Sequence, residues 1–178
     1  MPKRVGFSKE FLTLQKISDH YVDVEASLRI YFSPVHPEFT YRFIAYTEKQ
    51  LSSEYAERVK EVDIASALTT LAAVEAAFRI DYFQRCYLRK KDELSRALRE
   101  IHRRKGSRVR LENEILEMWK VHTLGAKRII GDLRSAFKFR HWLAHGRYWI
   151  PKHGQNYDYG TIYALANEVF NVFPLEGI

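Results

Sequence analysis

The chain holds a single cysteine, Cys86, in 178 residues. That excludes a disulfide framework and any zinc site built from several thiolates. Eight glycines and five prolines are too few for a collagen-like repeat, a Pro-rich linker or a small-stranded barrel. The longest uncharged apolar-rich run, from Ile64 to Val74, falls well short of the ~20 residues that cross a bilayer. The opening residues MPKRVGFSKEF lack the apolar stretch of a secretory signal. A glycine-rich phosphate loop, a Walker motif and a G-x-S-x-G elbow are likewise missing. What is present suits a core: 46% hydrophobic residues, with 11 Phe, 11 Tyr and 3 Trp. A chain of this size buries about 70% of the surface that its unfolded form exposes. The expectation is a soluble, cytoplasmic, globular protein.

Charge is concentrated in one place. The net charge is +7, from 29 basic and 22 acidic residues. Between Arg85 and Arg110 stand eleven basic residues against Asp92, Glu93 and Glu100, a local excess of +8 in 26 residues. The other 152 residues therefore sum to −1. Such a patch attracts polyanions, and each phosphate it neutralises releases condensed counterions. The alternative is a solvated helix face that serves only solubility. A membrane surface fits less well, because Leu88, Leu94, Leu98 and Ile101 do not make a Trp/Phe face.

Apolar spacing is helical almost throughout and predicts an all-α bundle. One helix is expected from a cap at Ser8 to the Ser33-Pro34 turn, and a second over about 40–59. A third is expected from a cap at Asp63 through Tyr82, and a basic helix over about 91–104. Later helices are expected over about 111–122, 126–145 and 161–172. Gly146 is placed to cap the sixth in the left-handed conformation. The chain thus divides into residues 1–60, an N-terminal helical extension packed on the core, and residues 61–178, the main bundle. No stretch alternates with the period of a strand.

The chemistry is concentrated in Phe139-Arg140-His141-Trp142-Leu143-Ala144-His145-Gly146-Arg147. Titratable residues cluster there where a core helix ends. His141 and His145 are four apart and share a face, while Arg140 lies about 140° from His145 on an ideal helix. Three readings stand side by side. The histidines are half of a metal site, with further ligands coming from afar, since no H-E-x-x-H pattern accompanies them. The cluster is structural, with cations favouring the helix C-terminus. Or Arg and His cooperate on a phosphodiester, the imidazole moving a proton and the guanidinium holding phosphate oxygens.

Arg140-His141-x-x-x-His145 resembles the Arg-x4–6-His motif of the HEPN superfamily (higher eukaryotes and prokaryotes nucleotide-binding). The residue after the arginine is there Asn, Asp or His, which His141 matches. The upstream stretch Ala73-Val74-Glu75-Ala76-Ala77-Phe78-Arg79 is similar to the acidic-residue-bearing core helix of several branches. The likeness covers roughly 63–172. It implies a bundle of four or five core helices that dimerises, so that two motifs face one another across a composite cleft. It implies a metal-independent endoribonuclease without cofactor, leaving 2′,3′-cyclic phosphate ends, in a toxin–antitoxin or phage-defence setting with an antitoxin or regulatory partner. Other members of the family only bind nucleotides or nucleic acid. Carried onto this chain, Arg140 stabilises the phosphate, His145 is the acid/base and His141 orients phosphate or substrate. Glu75 orients Arg140 or His145, or else simply pairs with Arg79 one turn away.

The basic patch is then the surface that steers RNA, with Arg96, Arg99, Arg103 and Arg104 as its bearers, and Arg147 as an added phosphate contact. Trp142, Tyr148, Trp149, Tyr157 and Tyr159 are either base-stacking residues or core and dimer contacts. Cys86 reads as a buried thiol. His20, His36, His102, His122 and His153 fall into no ligand spacing.

Overall fold

Between Pro37 and Gly106 the chain contains neither glycine nor proline, so neither residue interrupts a helix there, and the breaks at 44–47 and 88–92 arise without one. The computed structural model describes residues 5–8, 10–150 and 157–177. Where the spacing predicts two helices, one runs for 40 residues, α3 (Glu48–Tyr87), a rod of about 60 Å. It opens on a reciprocal capping box: Thr47 Oγ1 accepts from the Gln50 amide, and the Gln50 side chain accepts from the Thr47 amide. Asp63 is therefore not a cap for its own helix. The polar run Glu57–Glu61 is simply an exposed stretch of α3, and the expected division at residue 60 falls inside this helix.

Before it come α1 (Leu14–Tyr31) and the short α2 (Phe39–Phe43). α1 starts later than the spacing suggests. Its cap is Thr13, whose hydroxyl accepts from the Lys16 amide, whereas Ser8 Oγ accepts from the Glu10 amide in a local turn. The residues ahead of α1 run non-helically along α3, with Val5 N–H on Tyr87 Oη (2.9 Å) and Phe7 against Phe83 and Tyr87. After α3 come α4 (Glu93–Lys105), a 3-10 turn at Gly106–Arg108 and a π-helical turn at Leu111–Ile115 that leads into α5 (Leu116–His122). The last two helices are α6 (Ala126–Ala144) and α7 (Tyr159–Val172). Among the described residues there is no strand, and the molecule is an all-α bundle.

The core forms where the second half of α3 meets α4, the 111–122 helix, α6 and α7. Leu71, Val74, Phe78 and Tyr82 of α3 are buried there with Leu98, Trp119, Ile130, Leu133 and Ile162. Each such side chain contributes about 1.5–3 kcal/mol by leaving water. Phe78, Trp119 and Phe173 meet edge to face, so the segment after α7 is part of the core. Arg85 fastens it further. Its Nε donates to Asp81 (2.7 Å), its Nη2 donates to the Pro174 carbonyl (2.8 Å), and its guanidinium lies over the Trp119 ring. Arg85 is thus a structural cation, withdrawn from the basic patch. Cys86 is buried as expected, and burial pushes its thiol up to about 11. Among the described residues no helix is long and apolar enough to cross a membrane.

Candidate functional site

α6 lies with Ile129, Ile130, Leu133, Ala136 and Phe137 in the core, which fixes the rotation of its last turns. The helix ends as Gly146 predicts. The Gly146 amide donates to the Leu143 carbonyl and the Arg147 amide to the Trp142 carbonyl, both at 3.1 Å. This is a Schellman closure, and it requires the positive φ of +76° at Gly146. Arg147 continues the left-handed turn at φ +59°, a conformation that costs a non-glycine residue about 1 kcal/mol. The turn is secured from outside. Both Nη atoms of Arg147 hold Glu61 of α3 at 2.7 and 2.9 Å, and Trp142 Nε1 donates to the Trp149 carbonyl at 2.8 Å. The Arg147 guanidinium beside Glu61 lowers that carboxyl below its ordinary range. Arg147, expected as an RNA contact, is therefore occupied as the clasp of this turn.

The turn sets two imidazoles on display. The rings of His141 and His145 lie 4.2 Å apart, both exposed, with Trp149 about 6 Å from each. Arg140 points elsewhere, to α3, where its Nη1 meets Glu75 Oε2. Glu75 Oε1 accepts from Arg79 Nε at 2.7 Å. Glu75, only 16% exposed, is thus the shared counterion of two arginines, each with a side chain 37% exposed. Glu75 thus lies against both Arg79 and Arg140, the two arginines weighed as its partners. Among the described residues no contact joins Arg140 to His145 within the chain, as their 140° separation on a helix anticipates.

Arg140, Glu75 and Arg79 belong to a recess of about 420 Å³ completed by Val109, Arg110, Leu111, Glu112, Asn113 and Phe137. Arg110 and Asn113 are not legible as site residues in the sequence, because only the fold brings residues 109–113 against α3 and α6.

The basic segment divides once it is folded. Arg85 is buried, Lys90 pairs with Glu176, and Lys105 pairs with Glu114. Arg99 is half-buried and donates to the Lys90 carbonyl, which makes it a brace at the start of α4. Arg103 is exposed and pairs with Glu100 at 2.7 Å, a contact of small worth in water. Arg96 and Arg104 are exposed and form no ion pair among the described residues. Of the flanking aromatics, Tyr157 stacks on Phe139, Tyr159 lies tilted against Tyr21, and both Tyr157 and Tyr159 are buried. They are core residues, unavailable to a base. Trp142 is half-buried, stacked on Phe139 and hydrogen-bonded. Trp149 lies beside the imidazoles, and Tyr148, which is exposed, meets Trp149 edge to face. His153 lies outside the described residues.

Among the described residues no group of three or more His, Cys, Asp or Glu side chains is placed to hold a metal ion. Two imidazoles and an arginine at one helix end can hold an anion and move a proton. No protein-family model matches the chain, and no curated protein or solved structure is significantly similar to it.

Proposed function

We propose that the chain is a metal-independent endoribonuclease of the HEPN type, acting in the cytoplasm as a homodimer whose two motifs share one cleft. The observation that carries this reading is the exposed His141–His145 pair, set at the same helix end as an arginine whose guanidinium is aimed by a half-buried carboxylate. Histidine moves protons near neutral pH, and arginine stays charged while it grips phosphate oxygens. His145 takes the proton of a ribose 2′-hydroxyl, and the 2′ oxygen attacks phosphorus. The bond from phosphorus to the 5′ oxygen breaks, and the imidazolium returns the proton to that oxygen. The products are a 2′,3′-cyclic phosphate and a 5′-hydroxyl. Arg140 stabilises the charge that builds on the phosphate, and His141 orients it.

RNA arrives along the exposed cations of α4, chiefly Arg96, Arg103 and Arg104. Support for pairing of two copies comes from Tyr148 and Ile150, 82% and 91% exposed just past the motif, which an opposed copy would cover. The family likeness adds a toxin–antitoxin or phage-defence setting and an antitoxin-like partner.

A second reading, a nucleic-acid-binding module of the same fold without catalysis, draws on the lack of any Arg140–His145 contact within the chain. One experiment separates the two. Purified protein is incubated with single-stranded RNA in EDTA, alongside Arg140→Ala and His145→Ala. The nuclease reading expects cleavage that falls about 10²–10⁴-fold in each variant. Salt-sensitive binding without cleavage favours the module, and equal cleavage by all three proteins places the activity elsewhere.

A further inference from the structure

The recess beside Arg140 has a composition that its neighbourhood does not explain as packing. Three arginines line it from three separate segments: Arg79 from α3, Arg110 from the loop before the π-helical turn and Arg140 from α6. Glu75 and Glu112 are its only carboxylates, so it keeps a charge of +1. Glu75 occupies one nitrogen of each neighbour, Nε of Arg79 and Nη1 of Arg140. Apart from Arg79 Nε, the nitrogens of both forks make no hydrogen bond among the described residues, which leaves their donors available beside one shared carboxylate. Arg110 is exposed, and its guanidinium forms no ion pair among the described residues, although its backbone amide is held by Glu114 Oε2 at 2.7 Å. Asn113, also exposed, adds an amide that donates or accepts.

We infer that this recess is a subsite for a phosphate of the RNA strand adjoining the scissile linkage, gripped by Arg110 and Arg79 and bordered by Asn113. This rests on the nuclease reading for its substrate, and on the recess alone for its chemistry. A phosphodiester suits it because the excess charge is small and the donors are planar forks, which match phosphate oxygens two at a time. Glu75 then positions both arginines and touches no substrate itself.

The test uses a fluorescently labelled 2′-O-methyl oligoribonucleotide, which lacks the attacking hydroxyl and cannot be cut. Its affinity is measured against salt for the full chain, for Arg110→Ala and for Lys127→Ala. Lys127 is an exposed cation on the first turn of α6, outside the recess. Arg110→Ala is expected to weaken binding about tenfold and to flatten the slope of log affinity against log salt by about 0.7, while Lys127→Ala binds as the parent does. Arg110→Glu is expected to weaken binding further, and circular dichroism checks that both variants keep the helical fold. Equal affinity for Arg110→Ala and parent overturns the subsite, as does an equal loss in Lys127→Ala or no binding by the parent. Cleavage of unmodified RNA by the same preparations keeps the two ideas apart. Cleavage with an unchanged KM in Arg110→Ala ends the subsite alone. Binding that depends on Arg110 without any cleavage ends the nuclease reading alone.

Discussion

Arg140 near the end of α6 and His145 at its C-cap lie five positions apart, yet they answer to different neighbours. Arg140 is drawn to α3 by Glu75, and His145 is left facing solvent with His141. Spacing makes the two histidines legible as a pair, because residues four apart share a helix face. It also makes the Glu75–Arg79 pair legible, though not that one carboxylate serves two arginines. Arg110 is not legible, since its role depends on residues 31 and 30 positions away, Arg79 and Arg140, closing around it. Arg147 departs from its expected role for a similar reason. Its partner, Glu61, is 86 positions distant and is reached only because the chain turns left-handed at Gly146 and Arg147. Gly146 gives a test at this scale. A Cβ there meets nothing within 4 Å, so Gly146→Ala is strained by backbone conformation alone. The variant is expected to lose about 1 kcal/mol of stability, read by urea denaturation. Cleavage is expected to fall with it, because the same turn places His145.

At the scale of elements, the length of α3 is the main departure from the reading of the sequence. A good capping residue, Asp63, suggests a break, but a capping residue alone does not end a helix where no proline removes a backbone donor. Asp63 does serve as a cap, for a different helix. Its Oδ2 accepts from the Tyr159 amide at the start of α7, at 3.0 Å. Asp158 caps the same helix through the Thr161 amide at 2.7 Å. Hydrogen bonds to Thr161 hold the Asp158 carboxyl below its ordinary range. A carboxyl lowered on folding stabilises at pH values above its unfolded pKa, and that contribution disappears as pH falls through the folded one. Asp158→Ala is therefore expected to cost about 1 kcal/mol near neutral pH. In acid the deficit should shrink below the ordinary Asp pKa. Denaturation curves of parent and variant across pH check this, and a deficit that stays constant into strong acid contradicts it. α4 is expected over about 91–104 and found at Glu93–Lys105, where Asp92 is the cap and Gly106 the stop. Its free charge is smaller than the residue count suggests, because several cations of that stretch are held by carboxylates or carbonyls elsewhere in the fold.

For the whole molecule, an all-helical bundle is the natural outcome of the apolar spacing, and α3, α6 and α7 bury their apolar faces in one core. Assembly is a different matter, since a two-fold site leaves no trace in a single chain beyond exposed apolar residues such as Tyr148 and Ile150. Sedimentation at working concentration is expected to give a dimer. Mixing Arg140→Ala with His145→Ala protein is expected to restore part of the cleavage, because a mixed dimer then holds one intact Arg140 and one intact His145 across the shared cleft. A monomer that cleaves at full rate contradicts the shared cleft.

The most direct measurement is mass spectrometry of the fragments that the purified chain makes from a defined single-stranded RNA in EDTA. A metal-independent attack by the 2′-hydroxyl predicts 5′ fragments ending in a 2′,3′-cyclic phosphate and 3′ fragments beginning with a 5′-hydroxyl, both lost in Arg140→Ala and in His145→Ala. Intact RNA, fragments ending in a 3′-hydroxyl, or cyclic ends that persist in both variants would contradict it.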